Sequence, residues 1–258
     1  MKHIFLLITC TFLLINSAFA QANQKNAKKE FNEAVDYIEE NNYSQAIYNL
    51  NKALNISPKF GEAYLERGKL YIKNHNAEGA INDLNKAIKY NDGTKKGEAY
   101  FYRGYLNFEK GDIEQAIEDL SMAVQSKYKK PEVYYFRGLA YHKGEDYSNA
   151  IMNFTMAIDA KYNFFHAYHD RATTKLMKGD AQGAIKDYKN ALKHRQSSSF
   201  TYNNLGKAYM KISDFQKATE NFTLAIKENP NYVSGHKSLP HSPRGRGCKL
   251  QTLTSAYI

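Results

Sequence analysis

Few residues in this 258-residue chain have the types and spacing that chemistry requires. His166 and His169 stand three apart, a spacing that puts two imidazoles on one helix face and could hold a metal. His142 would be the obvious third ligand. It sits about seven positions further along its own repeat than His169, however, and at ~1.5 Å per helical residue that is an offset of about 10 Å. Shared coordination is excluded on that ground, and the pair is expected to be two partly exposed surface histidines. No Gly-rich phosphate loop, H-E-x-x-H or G-x-S-x-G motif occurs. Asn42, Asn55, Asn153 and Asn221 match N-x-[ST], but Asn153 and Asn221 recur at one place of a repeat, which accounts for them without glycosylation. The residues thus point away from an enzyme and imply no cofactor and no metal.

Charge tells a similar story once it is partitioned. The formal net charge is +10, yet all 26 acidic residues lie between Glu30 and Glu228, where 28 basic residues balance them to +2. The excess sits in two acid-free flanks, on Lys2, Lys25, Lys28 and Lys29 and on Lys237, Arg244, Arg246 and Lys249. The short cluster Lys127, Lys129 and Lys130 has acids nearby. No basic stripe of the kind that tracks a phosphate backbone is present, so no nucleic-acid partner is expected.

The first twenty residues have their own logic. Lys2 and His3 precede an apolar run from Ile4 to Ile15, followed by Ala18-Phe19-Ala20. That order predicts a secretory signal peptide over 1–20, cleaved after Ala20. Twelve apolar residues cover about 18 Å as a helix, short of the ~30 Å hydrocarbon core. Cys10 lies inside the run, not after it, which argues against lipidation. The chain is therefore expected to be exported, periplasmic or secreted, with no membrane span once the signal is removed. With Cys10 gone only Cys248 remains, so no intrachain disulfide can form.

After a lead-in over 21–26, the middle of the chain repeats every 34 residues, in units 27–60, 61–94, 97–130, 131–164, 165–198 and 199–232. The eighth position reads Ala34, Gly68, Gly104, Gly138, Ala172 and Gly206. The twentieth reads Ala46, Ala80, Ala116, Ala150, Ala184 and Ala218, and the twenty-seventh Ala53, Ala87, Ala123, Ala157, Ala191 and Ala225. Large residues keep step: Tyr64, Tyr100, Tyr134, Tyr168 and Tyr202 at the fourth position, and Leu50, Leu84, Leu120, Phe154, Tyr188 and Phe222 at the twenty-fourth. Each unit carries two stretches of helical spacing. Between them lie breaks such as Lys110-Gly111-Asp112, Lys143-Gly144-Glu145 and Lys178-Gly179-Asp180. A left-handed Gly is expected to end the first helix, with Asp112, Ser148 or Asp180 capping the second.

This pattern resembles the tetratricopeptide repeat family over residues 27–232. Glu30 departs from it in unit one, Asn107 and Lys175 in units three and five, and only Pro58 and Pro230 keep the closing proline. The resemblance implies an all-α solenoid: six helix-turn-helix repeats in a right-handed superhelix with the first helices on the concave side. It also implies that Phe31, Leu65, Phe101, Tyr105, Phe108, Tyr135 and Leu139 face the groove, with Tyr105 and Tyr135 as the anchors for a protein or peptide partner. The competing reading packs these side chains against the next repeat. No unit pairs Lys at the fifth place with Asn at the ninth, so a clamp for an acidic C-terminus is not expected. The seventh position, Arg67, Arg103, Arg137 and Arg171, is expected to be structural, its stems on aromatics.

Beyond Tyr232 the pattern breaks. Pro240 falls where Ala or Gly belongs, and residues 233–258 are a basic Ser/Pro/Gly-rich tail for which no fixed structure is expected. Two explanations stand: a basic arm, or a reading-frame shift near residue 233. Without a capping helix the last repeat should expose apolar area and favour self-association. The expected function is an exported scaffold that binds a peptide or helix in a concave groove. The alternative is an interaction or sensor segment of a larger exported protein, even an enzyme, whose remainder lies beyond the break.

Overall fold

In the computed structural model, residues 2–160, 165–194 and 198–230 are described, with side chains from Gln21 onward. These residues form twelve helices and no strand. They are α1 (Lys2–Glu39), α2 (Tyr43–Ile56), α3 (Gly61–Lys73), α4 (Ala77–Tyr90), α5 (Gly93–Lys110) and α6 (Ile113–Gln125). The others are α7 (Pro131–Lys143), α8 (Tyr147–Ala160), α9 (Phe165–Met177), α10 (Ala181–His194), α11 (Ser199–Lys211) and α12 (Phe215–Glu228). The tail beyond 232 lies outside the described residues.

The chain divides into two compact units, one of Met1–Leu106 with Gln125–Tyr128, the other of Asn107–Val124 with Lys129–Ile258. In the first, α1 packs on α2 and α3 on α4, with α2 against α3. In the second, α7 packs on α8, α9 on α10 and α11 on α12, while α8 lies against α9 and α10 against α11. Within each unit these hairpins rest on one another in chain order, as in an α-solenoid.

The small residues explain why the hairpins close so tightly. All eighteen Ala and Gly at the eighth, twentieth and twenty-seventh positions are buried. A Cβ on Gly138 would lie 2.7 Å from the Phe154 ring, and one on Gly206 would lie 2.7 Å from Phe222. At Gly68 the facing residue is the smaller Leu84, and the gap is 3.3 Å. At Gly138 and Gly206 the missing side chain thus makes room for the phenylalanine at the twenty-fourth position.

The turns are more regular than their sequences. The fifteenth position has positive φ in all six repeats, at Asn41, His75, Gly111, Glu145, Gly179 and Ser213. The following residue, Asn42, Asn76, Asp112, Asp146, Asp180 or Asp214, donates its N–H to the carbonyl five residues back, the signature of a Schellman motif. In five of these repeats the same Asn or Asp also caps the next helix, accepting from the N–H of Gln45, Gly79, Asn149, Gly183 or Lys217. Two expectations are corrected here. Gly144 has φ −82 and ends its helix normally, leaving Glu145 to take the left-handed turn. The cap of α8 is Asp146, not Ser148, because the motif places its cap directly after the left-handed residue.

Candidate functional site

In the second unit the first helices α7, α9 and α11 are joined side by side by polar contacts. The Tyr135 hydroxyl donates to the Asp170 carboxylate at 2.7 Å. His142 Nδ1 lies 2.9 Å from the Thr174 hydroxyl, and His169 Nδ1 lies 3.1 Å from the Thr201 hydroxyl. The second helices close the opposite side, which leaves one strip of each first helix open. On α9 that strip is His166, Asp170, Thr173 and Met177, spaced four, three and four apart as one helix face demands. On α7 it includes Glu132, Leu139 and His142, and on α11 Phe200, Asn203, Lys207 and Met210.

The expected groove residues divide, each within its own unit, between buried and open positions. Phe31 is buried against the Phe60 ring at 5.0 Å, and Leu65 is fully buried. Phe101 packs on Tyr128 at 5.7 Å, and Tyr105 is only 8% exposed. Tyr135 is 4% exposed, its ring against Phe136 and Phe154. Phe108 and Leu139 keep open surface, Phe108 edge-on to Phe136 with the Lys143 ammonium 5.6 Å from its ring centre. The fifth position points between adjacent first helices, so its aromatics work mainly in the stack. The ninth and twelfth lie nearer the open face.

The histidines also divide. His169 is a core residue, stacked near Phe165, Phe200 and Tyr188. Burial, aided by His166, pushes its pKa down to about 3, so it is a neutral hydrogen-bonding link. The expectation of a surface histidine is corrected for His169, while His166 does keep open surface. No group of three or more His, Cys, Asp or Glu able to hold a metal occurs among the described residues. Asn153 is fully buried and accepts from Arg137, which removes it as a glycan site.

Two acidic places on the first helices differ in how they are neutralised. In the first unit Lys69 contacts Glu66 at 2.8 Å and Glu98 at 3.4 Å. Burial alone would push Lys69 down, but these two carboxylates outweigh it and hold it above the usual lysine range. In the second unit no such cation pairs with Asp170 among the described residues. Burial pushes its carboxyl up to about 6, opposed in part by the Tyr135 hydroxyl.

Sequence reasoning sets the seventh-position arginines on aromatics but misses the polar clamp they make. Arg67, Arg137 and Arg171 each reach two second helices. Arg67 grips Asp83 of its own repeat through Nε at 2.6 Å and Nη2 at 2.8 Å, and gives Nη1 to Asn51 of the preceding one. Arg171 does the same with Asp187, at 2.8 and 2.7 Å, and Thr155. Arg137 donates to Asn153 and Ser121, and Arg103 to Asn85. Tyrosines three residues earlier lie under all four guanidinium groups at 5.5–5.9 Å. The recurring spacing of 16 residues to Asp or Asn was the available clue.

Comparisons with known proteins agree with this architecture. Family models described as TPR repeat match residues 34–74 and 104–144, and models described as tetratricopeptide repeat match 61–93, 131–164 and 199–232. Together these segments cover more than half of the chain. Among solved structures, MamA is 26% identical with a TM-score of 0.58, over 63% of this chain and 94% of that one. YrrB, described as a TPR protein with an unusual peptide-binding site, is 18% identical with a TM-score of 0.67, over 74% and 98%. The pilF protein of Pseudomonas aeruginosa is 16% identical with a TM-score of 0.67, over 84% and 97%. The search of curated proteins finds no match.

Proposed function

Since the chain belongs to the tetratricopeptide repeat family, we propose that it is an exported interaction scaffold that holds a peptide or helix of a partner protein against the open face of its first helices. A protein-interaction role is what the fold and its neighbours support at the coarser level, and YrrB carries a peptide-binding site on a similar frame. The observation that supports the open face here is its composition in the second unit: Phe108, Leu139 and Met177 keep apolar surface beside His142, His166 and Asp170. Apolar anchors with a few polar groups among them suit a peptide better than a small metabolite. Export rests on the order Lys2, Ile4–Ile15 and Ala18-Phe19-Ala20. No helix among the described residues is long and apolar enough to cross a membrane.

Selection of peptides from a displayed random library against the full chain tests the groove. Leu139→Arg places a bulky charge on the open face without entering the core. It should abolish binding of the selected peptides while leaving the helical signal and melting midpoint near wild type. Peptides whose binding survives Leu139→Arg would place the site elsewhere. Export is tested by expression from the complete gene: the exported product should begin at Gln21, and retention of full-length chain in the cytoplasm would defeat that part of the reading.

A further inference from the structure

We propose that the open face of the second unit is selective for peptides carrying a cationic side chain, lysine or arginine, and that Asp170 is the group that receives it. This rests on the groove reading above and adds the chemistry of the bound partner.

The first observation is how several other buried or half-buried acids are treated. Asp83 has Arg67, Asp187 has both Arg171 and Lys175, and Glu66 and Glu98 share Lys69. Glu30 has Lys52 at 3.2 Å. Each is matched by a basic residue from within the chain. The recorded side-chain partner of Asp170 is a single neutral donor, the Tyr135 hydroxyl. One hydroxyl satisfies one of the roughly four acceptor sites of a carboxylate.

The second observation is position. Asp170 lies mid-helix on the open strip of α9, between His166 and Thr173, and retains some solvent-accessible surface although it is densely surrounded. The groups around it leave its charge unanswered. Tyr135 of α7 donates the one bond, and Tyr188 of α10 is held neutral by burial, its pKa pushed up to about 12. On α9 itself Thr173 is turned to the Tyr188 hydroxyl at 2.9 Å, and buried His169 is neutral. His166 stands one turn earlier on the same strip, and Lys207 lies exposed on the strip of α11. An ionised carboxylate in such surroundings is costly to keep, and a bound ammonium or guanidinium would offset that cost through a charge-assisted hydrogen bond. The apolar surface of Leu139 on α7, and of Met177 two turns further along the same strip of α9, suits the methylene stem of the same side chain.

The raised pKa fits this placement. A carboxyl held near 6 is ionised at pH 7.5 but is the costlier form, the condition in which a partner cation gains most.

The test uses the library-selected peptides on the full chain at pH 7.5. The peptides should share a Lys or Arg. Replacing that residue with norleucine should weaken binding tenfold or more. Asp170→Asn, which keeps an acceptor for Tyr135, should weaken the unmodified peptide to the same degree. Combining the two changes should weaken binding no further than either alone. Peptides that lack a common basic residue, or an Asp170→Asn affinity within twofold of wild type, would overturn the inference while leaving the groove reading intact. Tenfold tighter peptide binding on deleting 233–258 would also overturn it, since the site would then serve the chain's own basic tail. A selection that yields no peptide sensitive to Leu139→Arg would remove both.

Discussion

At the residue scale, the arginine at the seventh position does more than lie on its tyrosine. It ties its own second helix to the preceding one, and it does so from a half-buried place: the Arg67 and Arg171 side chains are only 16% and 14% exposed. Burial opposes the charge of Arg67 and the Asp83 carboxylate outweighs it, whereas Arg137, which faces Asn153 with no acid, is left with its pKa lowered by burial. Removing one partner of such a pair strands a buried charge. Arg67→Leu should therefore cost about 3–5 kcal/mol in denaturant unfolding, and Arg67→Leu with Asp83→Asn should recover much of that. The last repeat already uses that pairing, with Leu205 and Asn221 at the two places. Asp170 behaves oppositely. Its carboxyl holds a proton more tightly in the folded chain than in the unfolded one, where its pKa is near 4. That adds stability which is fully present below pH 4 and lost as the pH rises through 6. Asp170→Asn should therefore raise stability at pH 7.5 by about 1–3 kcal/mol, and the gain should shrink toward zero near pH 4. An equal gain at both pH values would contradict the assignment.

At the scale of the helical hairpin, the controlling quantity is the fit between the eighth and twenty-fourth positions. Gly138 faces Phe154, which is fully buried, so Gly138→Ala must push the ring or part the helices. The expected cost is about 1–3 kcal/mol. The Gly68–Leu84 pair shows what relieves it: Gly138→Ala with Phe154→Leu should be more stable than Gly138→Ala alone. A double variant less stable than the single would show that the ring fills space the helix pair needs. The turns obey a stricter rule than their sequences suggest. Position fifteen is left-handed whether it holds Gly, Asn, His, Ser or Glu, because the Schellman bond and the following Asn or Asp cap enforce it. Glu145 is the least suited of these residues to positive φ. Glu145→Gly should therefore leave stability unchanged or raise it by up to about 1 kcal/mol, and thermal unfolding measures this directly.

At the scale of the whole molecule, each repeat is supported by its neighbours, so stability is local and falls toward an uncovered end. In α12, the last described helix, Phe215, Leu224 and Ile226 are 63%, 40% and 45% exposed. Its buried residues are confined to Ala218 and Ala225. Backbone amides of α12 should exchange with solvent well before those of α8 and α10, whose inner faces carry the fully buried Phe154 and Tyr188. Uniform protection across the three helices would mean that something else covers the end. The net charge of +10 gives no guide to partners at this scale, since it gathers in the flanks and leaves the repeats nearly balanced.

The period of 34, the six helix pairs and the buried small residues were legible from residue types alone, because close backbone approach at a fixed register tolerates only Ala or Gly. The caps were legible in kind but not always in place: a Gly-rich break marks a turn, while the hydrogen-bond register that makes Glu145 left-handed and Asp146 the cap exists only once the turn is closed. The site was legible least. An aromatic at the fifth position looks the same in sequence whether it meets a partner or the next helix, and the tertiary structure places Phe31, Phe101 and Tyr135 among buried residues while leaving Leu139 and Asp170 partly open. Likewise Arg67 and Asp83 are 16 residues apart, and Tyr135 and Asp170 are 35 apart. Sequence fixes those separations, but whether the side chains meet, and whether a charge is answered or left waiting, depends on how consecutive hairpins are set against one another.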